Sequence, residues 1–152
     1  MIINLLILLV SFLVIWTLGF LLHEWCHLFE ARRHGMDGWI SIGRYMGIPT
    51  FSVYFYGETP TSVYYAGGVY SGLIYLLISL IGIPFLYTWG FPIVASLFTV
   101  GIVNLFYGIY EGMFIEKLNT DSYIKYHYIL YGICILACLI VMWNPLVSYL
   151  VG

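Results

Sequence analysis

The chain has 152 residues, 62% of them hydrophobic and only 8% charged, with a formal net charge of −2 and a mean hydropathy of +0.98. That composition excludes an ordinary soluble globular domain and is the composition of an integral membrane protein. It carries no basic run and no basic–aromatic interleaving, which excludes a nucleic-acid surface, and its three cysteines make no disulfide framework.

The first element is a helix over roughly Ile2 to Glu30. Met1 to Leu22 carries no charge, lacks a basic leader and a small-residue cleavage site, and runs without a break into two histidines, so it reads as a membrane helix rather than a secretory signal. At its end stands His23-Glu24-Trp25-Cys26-His27, an H-E-x-x-H run. Residues four apart share one helical face, so both imidazoles can reach one Zn²⁺ while Glu24 sits beside the open coordination position as general base. Two imidazoles and a carboxylate are costly in an apolar helix without partners, and a metal supplies the missing reason for them. Cys26 lies on a flank of that face and reads as a small packing residue.

The next stretch is the least helical. Trp39 to Ile42 and Phe51 to Phe55 alternate apolar and polar residues and flank the turn-rich Gly43 to Pro49, the pattern of a β-hairpin. An apolar hairpin is marginal alone and must lean on helices or lipid headgroups, and Tyr54, Tyr56, Tyr64 and Tyr65 suit an interfacial position. Thr59 to Tyr110 is again uncharged and long enough for two spans, Tyr65 to Tyr87 and Pro92 to Glu111, broken at Thr88 to Pro92. Gly68/Gly72 and Gly108/Gly112 have the small-xxx-small spacing that lets helices approach closely. Glu111 ends an otherwise uncharged helix, which makes its carboxylate a functional candidate. His127 to Leu150 is the fourth span, with Cys134 and Cys138 as packing residues. His127 and Glu30 read as interfacial polar groups, and Asp121, between Lys117 and Lys125, as part of a solvated loop.

The expected fold is an all-α membrane protein of one domain, residues 1–152, with about four transmembrane helices and a small membrane-associated β-hairpin between the first and second. All five basic residues, Arg32, Arg33, Arg44, Lys117 and Lys125, fall in the segments joining helices one to two and three to four. The positive-inside rule makes those segments cytoplasmic and sets His23 to His27 near the cytoplasmic side.

His23-Glu24-Trp25-Cys26-His27-Leu28-Phe29-Glu30-Ala31-Arg32-Arg33-His34-Gly35 resembles the H-E-x-G-H-x-x-x-A-R-R-x-G signature of the site-2 proteases, the intramembrane zinc metalloproteases. Ala66-Gly67-Gly68-Val69-Tyr70-Ser71 stands where that family has A-G-P-x-x-N, and Asn104-Leu105-Phe106-Tyr107 resembles its N-L-x-P. The likeness spans about residues 15 to 125 and implies a minimal, core-only version of the family. It implies one zinc per chain, held by His23, His27 and Glu111, with Asp121 in reserve for the third ligand. Glu24 and Asn104 are the implied catalytic residues, Asn104 either bonding across helices or holding substrate or oxyanion beside the metal. The implied partners are a transmembrane protein substrate and the lipid bilayer. The chain departs from the family pattern in having Glu111 where aspartate is usual, Cys26 for glycine and Ser71 for asparagine.

Two other classes share a histidine pair on an apolar helix: a catalytically inactive membrane scaffold, and a haem- or metal-handling membrane protein. Neither needs a carboxylate beside the first ligand, so Glu24 separates them from an enzyme.

Overall fold

The computed structural model describes residues 2–45, 48–115, 117 and 120–151, without the side chains of 44, 45, 48–50, 120, 121, 123 and 124. The elements are α1 (Ile2–Arg33), β1 (Gly38–Tyr45), β2 (Ile48–Phe55), α2 (Thr61–Ile81), a 3-10 turn (Ile83–Phe85), α3 (Phe91–Phe114), α4 (Thr120–Val141) and α5 (Trp143–Val151). The fold is therefore mostly helical with one two-stranded antiparallel sheet.

No proline interrupts α1, and its 32 residues reach about 48 Å at about 1.5 Å per residue. It stops at Gly35, whose φ of 72° suits a residue without a Cβ. There the N–H groups of His34 and Met36 turn back to the Ala31 carbonyl and that of Gly35 to Arg32, satisfying carbonyls that the ending helix leaves open. The expected hairpin is present and longer than the alternation suggested, pairing Gly38 with Phe55 through to Tyr45 with Ile48. Its connection at 46–47 lies outside the described residues.

Two helix boundaries differ from expectation for reasons of proline chemistry. α2 begins at Thr61, directly after Pro60, and ends at Ile81, not Tyr87, because Gly82 and Pro84 follow. Pro84 cannot donate to the carbonyl four residues back, and the chain tightens into the 3-10 turn. The expected single helix over His127 to Leu150 is instead two helices meeting at a 67° bend. Pro145 offers no N–H to the Val141 carbonyl and its ring crowds that carbonyl, which breaks the ladder where α4 ends. α5 then folds back on α1, with the Asn4 side-chain amide donating to the Tyr149 carbonyl at 2.8 Å.

The helices meet at glycines. A Cβ on Gly68 or Gly108 would overlap the main chain of the opposite helix, so α2 and α3 lie backbone to backbone, and Gly72 gives the same close passage beside Leu105. α1 crosses this pair at Gly19, where a Cβ would come within 2.7 Å of Val100 Cγ1. Around that crossing Ile15, Tyr75 and Val100 form a buried cluster with Phe12, Trp16, Leu22 and Leu97 against it. One face of α1 is left open among the described residues: Leu5, Leu6, Val10, Leu13 and Leu18 are exposed. α1, α2 and α3 are each long and apolar enough to cross a membrane, and the bent α4–α5 pair adds a fourth crossing if it counts as one span.

Candidate metal centre

The crossing at Gly19 has a direct chemical result. One turn further along α1 His23 faces α3, one turn beyond that His27 faces α2, and both are buried, at 4% and 3% exposure. Gly67 makes the second placement possible, since a Cβ there would occupy the space of the His27 ring. Glu111, one turn beyond the Gly108 contact on α3, comes in from the other side at 8% exposure. His23 Nε2 lies 3.0 Å from His27 Nε2, and Glu111 Oε2 lies 3.2 Å from the first and 3.3 Å from the second.

The opposite ring nitrogens decide what those atoms can do. His27 Nδ1 donates to the Val63 carbonyl at 2.6 Å, and a carbonyl only accepts, so the proton sits on Nδ1 and Nε2 presents a lone pair. His23 Nδ1 donates to Asn104 Oδ1 at 3.2 Å with the amide turned as it stands, which leaves Nε2 its lone pair as well. Two imidazole lone pairs and a carboxylate oxygen therefore converge. Such a group repels itself unless a positive charge lies among its members. For metal bonds of about 2.0 to 2.2 Å in tetrahedral geometry, ligand atoms are about 3.3 to 3.5 Å apart, and the observed triangle is only slightly tighter. His23, His27 and Glu111 can hold a metal ion. Acceptors behind both imidazoles, from α2 and from α3, lock ring orientation and raise ligand basicity.

Around the triangle lie the other candidates. Glu24, half buried, turns to the hairpin, where its Oε2 accepts the Val53 N–H at 2.9 Å. The direction of that N–H follows from the ladder. Tyr56 donates to the Asp37 carbonyl, and this pair sets the alternation, so the main-chain groups of Phe51, Val53 and Phe55 all point away from β1. The outer edge of β2 thus runs beside α1, which carries His23 and His27. Asn104 on α3 meets His23 on α1, its Oδ1 3.2 Å from Nδ1. Cys26 is buried but stands outside the ligand triangle. The side chain of Asp121 lies outside the described residues.

Several contributors carried no signal in residue type. The Val63 carbonyl and the Val53 N–H are main-chain groups, which any residue offers. The Tyr107 ring lies against His23 with centroids 5.3 Å apart, and His127, expected at an interface, packs on Tyr107 and Tyr131 at 4.4 and 4.2 Å. Glu30 is buried: its Oε2 accepts from Arg33 at 3.1 Å and from the Tyr70 hydroxyl at 3.2 Å, pinning the end of α1 to α2.

No protein-family model matches this chain, and neither a curated protein nor a solved structure gives a match to it. The resemblance to site-2 proteases rests on the residues themselves.

Proposed function

We propose that the chain is a membrane-embedded zinc endopeptidase of the site-2 protease type, cutting a peptide bond in or near a transmembrane segment of another membrane protein. The observation that carries this reading is the buried triangle of His23 Nε2, His27 Nε2 and Glu111 Oε2, with separations of 3.0 to 3.3 Å and a further carboxylate, Glu24, adjacent in sequence to the first ligand. A two-nitrogen, one-oxygen set at tetrahedral spacing suits Zn²⁺ and leaves one position open.

A zinc ion held by the three residues would lower the pKa of water and polarise a peptide carbonyl. Glu24 accepts the proton of the attacking water on a carboxylate oxygen and returns it to the amine nitrogen as the C–N bond breaks. Val63 and Asn104 keep both imidazoles turned toward the metal through this exchange. The outer edge of β2 offers main-chain donors and acceptors to an extended segment, so a locally unwound substrate can add to the hairpin as a strand. The exposed apolar face of α1 suits contact with lipid, and the basic residues in the segments joining helices one to two and three to four support a cytoplasmic side for the centre.

The test is the Glu24→Gln variant, purified with zinc and given a transmembrane reporter in detergent or liposomes. Zinc content should remain near one per chain, while cleavage falls by at least about a hundredfold. Cleavage at the native rate would remove Glu24 from the mechanism, and with it the proposal.

A further inference from the structure

Glu24, the proposed base, is engaged elsewhere: its Oε2 accepts the Val53 N–H at 2.9 Å. That N–H belongs to the β2 edge that an incoming strand would pair with, so carboxylate and substrate compete for one donor. We infer that the Val53 N–H is a positioning group: it holds Glu24 on the hairpin in the resting protein, and an extended backbone docking on β2 takes the donor over and frees the carboxylate to act on water. This inference rests on the endopeptidase reading above.

The competition explains which molecules can win. A carboxylate is a stronger acceptor than a carbonyl, so one carbonyl of a passing water-exposed or helical segment does not displace Glu24. An extended segment brings more than one bond. Besides the carbonyl that takes the Val53 N–H, it carries an N–H for the Val53 carbonyl and further groups for Phe51 and Phe55, which point the same way. Only a partner several residues long and already unwound offers that set. The base becomes available when such a backbone is in place, which couples recognition of unwound chain to chemistry.

Val53→Pro isolates the donor. Its N–H takes no part in the β1–β2 ladder, so proline at this edge position removes the outward bond and spares the pairing. Replacing Val53 by its α-hydroxy analogue, an ester in place of the amide, deletes the same N–H if proline disturbs folding. Two substrates are compared: a peptide too short to reach along β2 and a transmembrane reporter. The expected result is a split. kcat for the short peptide rises by about tenfold, because the base is no longer held, while KM for the reporter rises by a similar factor, because one docking bond is gone. Loss of kcat on both substrates would overturn the proposal and make the contact a support for the working base.

A second readout does not depend on turnover. The ¹³C signal of the Glu24 carboxyl, assigned by its loss in Glu24→Gln, should shift when wild-type protein meets an extended peptide with a reduced, uncleavable bond. It should already be shifted in the variant lacking the N–H. A signal indifferent to both changes also overturns the inference. If the signal responds as expected but the wild-type protein cuts neither substrate, the exchange stands and the endopeptidase reading falls.

Discussion

His27 is held from three directions: Nδ1 by the Val63 carbonyl, Nε2 by the ligand triangle, and the ring by the bare backbone of Gly67. Gly67→Ala therefore has opposed effects. Alanine favours α2 by up to about 1 kcal/mol over glycine, yet its methyl group displaces the imidazole. The expected outcome is a protein that keeps its helix content while its zinc affinity, from competition with a chelator, drops by about ten- to a hundredfold; unchanged affinity would show that the ring does not need that space. At the third ligand, Glu111→Ala should weaken zinc binding far more than Asp121→Ala, and the reverse order in the same titration would transfer the role to Asp121. The pairing of His23 with His27 was legible in the sequence because spacing on a helix is itself geometry. Glu111 was legible through the cost of a carboxylate in an apolar helix. The Val63 carbonyl and the Val53 N–H were not, since a main-chain group leaves no mark in residue type. The burial of Glu30 was not legible, because Arg33 and His34 are its local neighbours in sequence but Tyr70 reaches it only once α1 and α2 pack.

The seam between α2 and α3 was also legible, as glycines four apart. It brings Glu111 to the histidines, because Gly68 meets Gly108 one turn before the ligand. Gly108→Val would wedge the two backbones apart at a cost of about 1–3 kcal/mol. Thermal unfolding in detergent should therefore fall by several degrees, with zinc retention falling alongside it. A variant as stable and as fully loaded as the parent would mean that the helices tolerate separation at this point. The same scale shows where reading by apolar length misleads. His127 to Leu150 is uniformly apolar, and length alone made it one helix, but the missing N–H of Pro145 outweighs the gain from continuing the ladder. The hairpin was placed correctly and its strands drawn too short, because alternation fades in Gly43 to Pro49 while the main-chain pairing continues.

For the molecule as a whole, the length of α1 exceeds a hydrocarbon layer of about 30 Å, so in the proposed membrane setting one end would enter an interface. By the positive-inside rule Arg32 and Arg33 in its last turn would select which end. In the proposed membrane setting, single cysteines at Ser41, Trp89 and Ser122, with Cys26, Cys134 and Cys138 replaced, report the arrangement. A membrane-impermeant reagent outside intact cells should label position 89 and leave 41 and 122 untouched. Labelling at 41 or 122 without 89 would invert the protein and open the centre to the exterior.

The two imidazoles and the carboxylate that meets them are separated by 88 residues, counted from His23 to Glu111. At about 5–20 residues per second, roughly 4 to 18 s of synthesis divide them. The Val63 carbonyl follows His27 by 36 residues, but Asn104 and Glu111, 81 and 88 residues after His23, come only at the end of that interval. On the proposed reading, capture of a metal by all three residues would be a late event in biogenesis, dependent on α3 reaching α1. A ribosome-stalled chain ending before Glu111 should bring down little zinc, whereas one long enough to present α3 outside the tunnel should retain it.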